Sequence, residues 1–219
     1  MTSPFSPFIP RRAFSLIELL VVIAIMSLVA AFSVPAFTNT IRAYSLSSAG
    51  NAVASQLIMA RQTAMAEGHA VQARFYFLPN YNQSSPTPAV YRGMQCFLEG
   101  DPVVTSGTIS APTSALSNPL YFSSPVVILA DITRSTLLPV SASSLLAADP
   151  KHPLGSYALK YKYVVFRFTP DGRTDLPNTL ACVTLVIQQD AVNPGTKLPP
   201  NFVTVQIDPV TGAVRNLHP

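Results

Sequence analysis

Residues 14–37 read FSLIELLVVIAIMSLVAAFSVPAF, an apolar run in which Glu18 is the single ionisable side chain. As a helix the run rises about 36 Å, enough to cross a hydrocarbon core of about 30 Å with some tilt. Arg11 and Arg12 stand just before it, and the next basic residue is Arg42. By the positive-inside rule Met1 is expected in the cytoplasm and everything after the run outside.

A carboxylate in such a run needs a reason, because an ionised acid near a bilayer centre costs about 2.5–3.5 kcal/mol on insertion scales and is ordinarily partnered. A secretory signal peptide is one competing reading of the segment, and the Arg11-Arg12 pair also fits a twin-arginine export signal. Both leave Glu18 unexplained. Snorkelling of Glu18 toward the Arg pair is the bland alternative.

The stretch Arg12-Ala13-Phe14-Ser15-Leu16-Ile17-Glu18-Leu19-Leu20 resembles the processing motif of type IV prepilins and type II secretion pseudopilins. That resemblance implies cleavage by a prepilin peptidase between Ala13 and Phe14 and methylation of the new Phe14 amine. Ala13 stands where the family usually has Gly. Pro35 matches a proline that many pilins carry in this helix. The resemblance also gives Glu18 a task in assembly. The amine of a processed Phe14 is a cation, and the Glu18 carboxylate of a neighbouring subunit would offset it inside an apolar bundle, setting the axial register.

Beyond Pro35 the apolar residues Leu46, Ala49, Val53, Leu57, Ala60 and Ala64 recur every three or four positions, the stripe of a helix with one buried face. The helix is expected from Phe14 to Glu67, with Gly68 as its stop and Gly50 and Pro35 as weak points. After Gly68 the period falls to two: Val71, Ala73, Phe75 and Phe77 alternate with Gln72, Arg74 and Tyr76, a strand with one face buried. Tyr91–Leu98, Val126–Leu129, Tyr163–Phe168, Ala181–Ile187 and Phe202–Ile207 are further candidate strands. The intervals Pro79–Ala89, Asp101–Pro119 and Val140–Leu154, rich in Pro, Ser, Thr and Ala, are expected as long loops.

The fold class is therefore α+β, a long amino-terminal helix packed on a mainly antiparallel sheet, and the resemblance implies a type IV pilin-like fold. Residues 1–13 form a leader, 14–37 the membrane-spanning half of the helix, 38–68 its amphipathic half, and 69–219 a β-rich head. Within the head, Phe166-Arg167-Phe168-Thr169-Pro170-Asp171-Gly172 carries a Pro-Asp-Gly turn. The stretch is similar to one late in H-type minor pseudopilins and FimT-like minor pilins, where two closing strands follow.

Composition agrees with a membrane-tethered, non-enzymatic chain. The 219 residues are 48% hydrophobic and 11% charged, with mean hydropathy +0.33, against about 25% charged residues in ordinary soluble domains. The net charge of +4 includes Arg11 and Arg12, so the chain without its leader is near neutral. No run of like charge marks a nucleic-acid partner. The chain has no G-x-S-x-G elbow, no H-E-x-x-H and no phosphate-cradling G-x-x-x-x-G-K, so no enzyme is expected and no cofactor is called for. His69, His152 and His218 lie far apart, and Cys96 and Cys182 have no metal spacing. Asp171 and Asp175 are weak calcium candidates. In an oxidising compartment Cys96 and Cys182 either pair as a disulfide or pack separately as small buried hydrophobes.

The leading expectation is a pilin-like structural subunit, a minor pseudopilin or pilin, in the bacterial inner membrane with its head in the periplasm or on the cell exterior. Its expected partners are the peptidase and methyltransferase that process it, other pilin-like subunits through the helix, and the membrane. Alternatives are a DNA-uptake minor pilin using Arg167, Arg173, Arg215 and Lys197, and a β domain behind an ordinary signal peptide.

Overall fold

The computed structural model describes residues 15–79, 89–105, 108–138, 144–192 and 198–219. The chain divides into two compact units, Met1–Ile41 and Arg42–Pro219. Helix α1 (Leu16–Glu67) begins in the first and ends in the second.

In the first unit every described side chain from Ser15 to Ala31 is exposed, including Leu16, Ile17, Leu20, Ile23 and Leu28. The hydroxyl of Ser27 donates to the Ile23 carbonyl at 2.7 Å, so this polar group is satisfied within the helix itself. Among the described residues no helix is long and apolar enough to cross a membrane. The stretch Leu16–Ala31 rises about 24 Å, and a crossing of about 30 Å requires the next turn of the apolar run as well.

In the second unit α1 lays the expected stripe, Leu46, Ala49, Val53, Leu57, Ala60 and Ala64, onto a sheet, and all six are buried. The helix stops where expected. Gly68 adopts φ +69° and its N–H donates to Ala64 O at 3.1 Å, the left-handed cap that glycine makes at little cost. The six anticipated strands all form: β1 (Val71–Leu78), β2 (Val90–Glu99), β7 (Val126–Ile128), β9 (Lys162–Phe168), β10 (Ala181–Ile187) and β11 (Val203–Ile207). Six short ones join them: β3 (Val103–Thr105), β4 (Thr108–Ser110), β5 (Thr113–Ala115), β6 (Leu120–Tyr121), β8 (Leu146–Ala147) and β12 (Val214–Leu217). All pairings are antiparallel, in the order β12-β11-β10-β7-β2-β1-β9-β8, with β5 and β6 also on β2 and β3-β4 a separate hairpin. The short strands lie mostly in intervals read as loops, because two or three residues are too few to show a period.

One transverse row crosses the sheet. Val203 pairs with Leu185, Leu185 with Ile128, Ile128 with Tyr91, Tyr91 with Phe77 and Phe77 with Lys162. Gly50 of α1 sits on Val203, where an added Cβ would come within 2.5 Å of Val203 Cγ1. At the other end of the strands two turns lock together under α1. Gly212, at φ +64°, is so close to the turn at Gly172 that a Cβ there would lie 2.1 Å from Gly172 O. Arg61 Nε donates to the same carbonyl at 3.1 Å.

One expectation is corrected. The alternation in β1 predicts one buried face and leaves Gln72, Arg74 and Tyr76 on the other, yet all three are buried. The second face of the sheet is covered by the segment from β8 through Tyr161, which brings Leu154 and Tyr161 onto Tyr76 and Leu78. Of the two alternatives for the cysteines, the disulfide is absent and separate packing is found: Cys96 and Cys182 are free and buried. Cys96 shares the helix-side core, with its sulfur 3.8 Å from Gln56 O of α1. Cys182 alternates out of that core and places its sulfur near Arg134 O and Thr136 Oγ1. The two thiols occupy opposite faces of one sheet, so a bridge would have to pass through the backbone between them.

Candidate functional site

The amino-terminal motif is seen from Ser15 onward; Arg11, Arg12, Ala13 and Phe14 lie outside the described residues. The Ser15 carbonyl accepts the first helical bonds, from Glu18 N at 3.0 Å and Leu19 N at 3.1 Å. The Glu18 carboxylate reaches back to the Ser15 N–H at 3.4 Å. This is one half of a capping box, which satisfies a donor the helix leaves orphaned and sets an anion at the positive end of the helix dipole. Glu18 is exposed, as are Leu16, Ile17, Leu19 and Leu20 around it. Pro35 lies inside α1, which continues through its position.

The head holds a buried charge network. Arg74, 3% exposed, donates from Nη1 to Asp149 Oδ2 and from Nε to Gln72 Oε1, both at 2.9 Å. Its guanidinium stacks over Phe97 at 4.1 Å and Tyr163 at 4.9 Å. His152 Nδ1 is also 2.9 Å from Asp149 Oδ2, and the Tyr161 hydroxyl accepts from Asp149 N and donates to His152 O. Burial acts to raise the Asp149 carboxyl, but the His152 ring, the Lys151 amide and Arg74 outweigh it and hold it at about 2. Gln72 extends the network to Glu99, and Glu99 to Arg167. The network fastens a loop to a sheet. The sequence signal for it was an arginine among buried apolar residues in β1 and an aspartate in a Pro-rich interval, which no spacing rule joins.

The calcium candidates are taken up by their own turn. Asp171 accepts from Thr169 Oγ1 and pairs with Arg173 at 3.2 Å, while Asp175 accepts from Arg167 N at 2.7 Å and pairs with its guanidinium. Among the described residues no three His, Cys, Asp or Glu side chains are grouped to hold a metal. The residues named for nucleic acid have these surroundings. Arg167 and Arg173 are in these ion pairs, Arg215 shares the wall of a groove of about 390 Å³ with Asp208, and Lys197 lies outside the described residues.

Residues 10–34 match the family model for the prokaryotic N-terminal methylation motif. The chain thus carries a prepilin-type amino terminus, in keeping with the resemblance read from Arg12 to Leu20. No curated protein sequence matches the chain. Among solved structures it is similar to the minor pseudopilin EpsH from the Type 2 Secretion System of Vibrio cholerae, at 8% identity and TM-score 0.40, over 80% of this chain and 98% of that one. It is also similar to the type IV minor pilin FimU of Pseudomonas aeruginosa strain PAO1, at 13% identity and TM-score 0.38, over 80% of this chain and 92% of that one.

Proposed function

We propose that the chain is a pilin-like structural subunit, of the minor pseudopilin or minor pilin kind, anchored by its helix in the bacterial inner membrane with the head outside the cytoplasm. The observation that carries this reading is the methylation motif at residues 10–34, followed by a helix whose apolar side chains are all exposed as far as Ala31. Such a surface requires a cover of lipid or of other apolar helices. In this reading a prepilin peptidase cuts after Ala13, Phe14 is methylated, and Glu18 meets the Phe14 amine of a neighbouring pilin-like subunit during assembly. The subunit acts by its place in a filament and not by catalysis, and it draws on no cofactor.

Intact-mass measurement of the chain from membranes, co-expressed with a prepilin peptidase, tests the reading. The expected mass is that of residues 14–219 plus one methyl group. A new amino terminus near Ala30 or Ala36 would establish an ordinary signal peptide and overturn it.

A further inference from the structure

We infer that the segment 148–161 is a releasable strap, which lifts off the sheet as a unit while α1 and the long strands stay folded, and which the charge on Asp149 holds down. The inference concerns the head alone and stands apart from the proposed anchor. Ala147 pairs with Lys162, so the segment leaves and rejoins the sheet at one neck, in the manner of an Ω-loop. Inside it the backbone bonds to itself. His152 N donates to Asp149 O at 3.0 Å and Leu154 N to Ala158 O at 3.0 Å, while Tyr157 N donates to Leu154 O and Lys160 N to Tyr157 O, at 2.8 Å each. The Asp149 carboxylate accepts from Lys151 N and the Tyr161 hydroxyl from Asp149 N, both at 3.0 Å. Lifting the strap at its neck therefore leaves none of these groups without its partner.

The strap meets the sheet through side chains. Asp149 pairs with Arg74 at 2.9 Å, the His152 ring lies 4.6 Å from that of Phe97, and the Tyr157 ring 5.9 Å from that of Tyr121. Leu154 and Tyr161 rest on Tyr76 and Leu78, in a cluster separate from the helix-side core. The register explains why this cover can leave. Residues paired across an antiparallel ladder share a face. Ala73 and Phe75 share the helix side with Cys96, Met94, Phe166 and Val164, which are apolar throughout. The strap side includes Phe97 but presents hydrogen-bonding groups at Gln72, Arg74, Tyr76, Gln95, Tyr163 and Arg167. Two of these contacts lie within the sheet and survive release, from Tyr76 Oη to Gln95 and from Arg74 Nε to Gln72. Baring an apolar face costs transfer free energy over its whole area, whereas polar groups exchange their protein partners for water. Release of the strap is therefore less costly than global unfolding, as for the segments that move in other folded chains. Asp149 sets the balance, with Arg74 Nη1 and His152 Nδ1 both on its Oδ2. Without that carboxylate, closing the strap buries an unpaired guanidinium.

Leu154 is buried under the strap and Cys96 in the helix-side core, so thiol labelling separates the two regions. The full chain carrying Leu154→Cys is labelled in detergent micelles across low urea concentrations, and mass spectrometry assigns the label to each cysteine-bearing peptide. The strap thiol is expected to label at least about tenfold faster than Cys96 and with a weaker dependence on urea, because its release exposes less surface. Adding Asp149→Ala should speed the strap thiol roughly a hundredfold, the factor set by a cation buried without its anion. Cys96 should remain the slower thiol. In the unmutated chain, trypsin is expected to cut after Lys151 before it cuts after Arg74. Equal labelling rates with equal urea dependence, or simultaneous cleavage at the two sites, would make strap and core one cooperative unit and overturn the inference. A strap thiol indifferent to Asp149→Ala overturns the hold assigned to that carboxylate.

Discussion

Asp149 shows how one carboxylate fixes a loop that composition alone leaves free. Its folded-state acidity is depressed to about 2 from an ordinary value of 3.8, so the carboxylate binds its proton more readily in the unfolded chain. The stabilisation is present in full above about pH 4 and is lost as pH falls toward 2. Thermal unfolding followed by circular dichroism should show this loss in the natural chain, and Asp149→Asn should flatten the dependence in that window. Asp149→Ala at neutral pH leaves the guanidinium of Arg74 buried without its anion, at a cost of about 3–5 kcal/mol. For a chain of this size that lowers the melting temperature by roughly 6–20 °C.

Glu18 is the other decisive single residue. Among the described residues it reaches back to the Ser15 N–H, a contact that explains a helix start but does not require an acid inside an apolar run. Glu18→Val is expected to leave membrane insertion intact or improved, because the insertion cost of the charge disappears. Incorporation into filaments with other pilin-like subunits should fall, as the partner of the Phe14 amine is gone. Quantitative blotting of sheared filaments against the membrane fraction reads both. Normal incorporation would refute the register role.

Among the elements, α1 and β11 meet at a contact with no slack. Glycine costs about 1 kcal/mol against alanine in a helix interior, so on propensity alone Gly50→Ala should stabilise the chain. The Cβ would come within 2.5 Å of Val203 Cγ1, however, and a β-branched side chain on a strand has little room to turn away. Gly50→Ala is therefore expected to destabilise, by about 1–3 kcal/mol as overpacked cores do. Combining it with Val203→Ala should recover part of the loss, a non-additivity that a double-mutant cycle in urea measures. Additive effects would show that the helix and strand do not press on each other here. The same tightness recurs at Gly212 and Gly172, where two turns and Arg61 fasten the opposite end of the helix.

At the scale of the molecule, the sheet is a partition. One side packs against α1 and the other against loop segments, including the one that carries Asp149, His152 and Leu154. The two cysteines fall on different sides. Denatured, unreduced chain is expected to show two reactive thiols, even after purification from an oxidising compartment. In the folded chain Cys96 should label far more slowly than an exposed thiol, since burial pushes it up to about 12 and the thiolate is the reacting form. Recovery of no free thiol on denaturation would contradict the facing of these two strands.

What the sequence determined by itself is local or periodic. Arg11, Arg12, Ala13, Phe14 and Glu18 stand within one short stretch, so the methylation-motif start is readable before any fold is known. The helix stripe from Leu46 to Ala64 and the strands β1, β2, β9, β10 and β11 repeat often enough to show their period, and the stop at Gly68 is a local signal. The tertiary structure decided what depends on residues far apart in the chain. Alternation in β1 separates two faces, but only the segment folded back over Gln72, Arg74 and Tyr76 determines that both are dry. Cys96 and Cys182 lie in strands correctly anticipated, yet their facing follows from the register of β2 and β10 within one sheet, which neither strand encodes alone. Arg74 and Asp149 are 75 positions apart. Long-range pairing arises from the simultaneous burial of many side chains, and no window of sequence contains that sum.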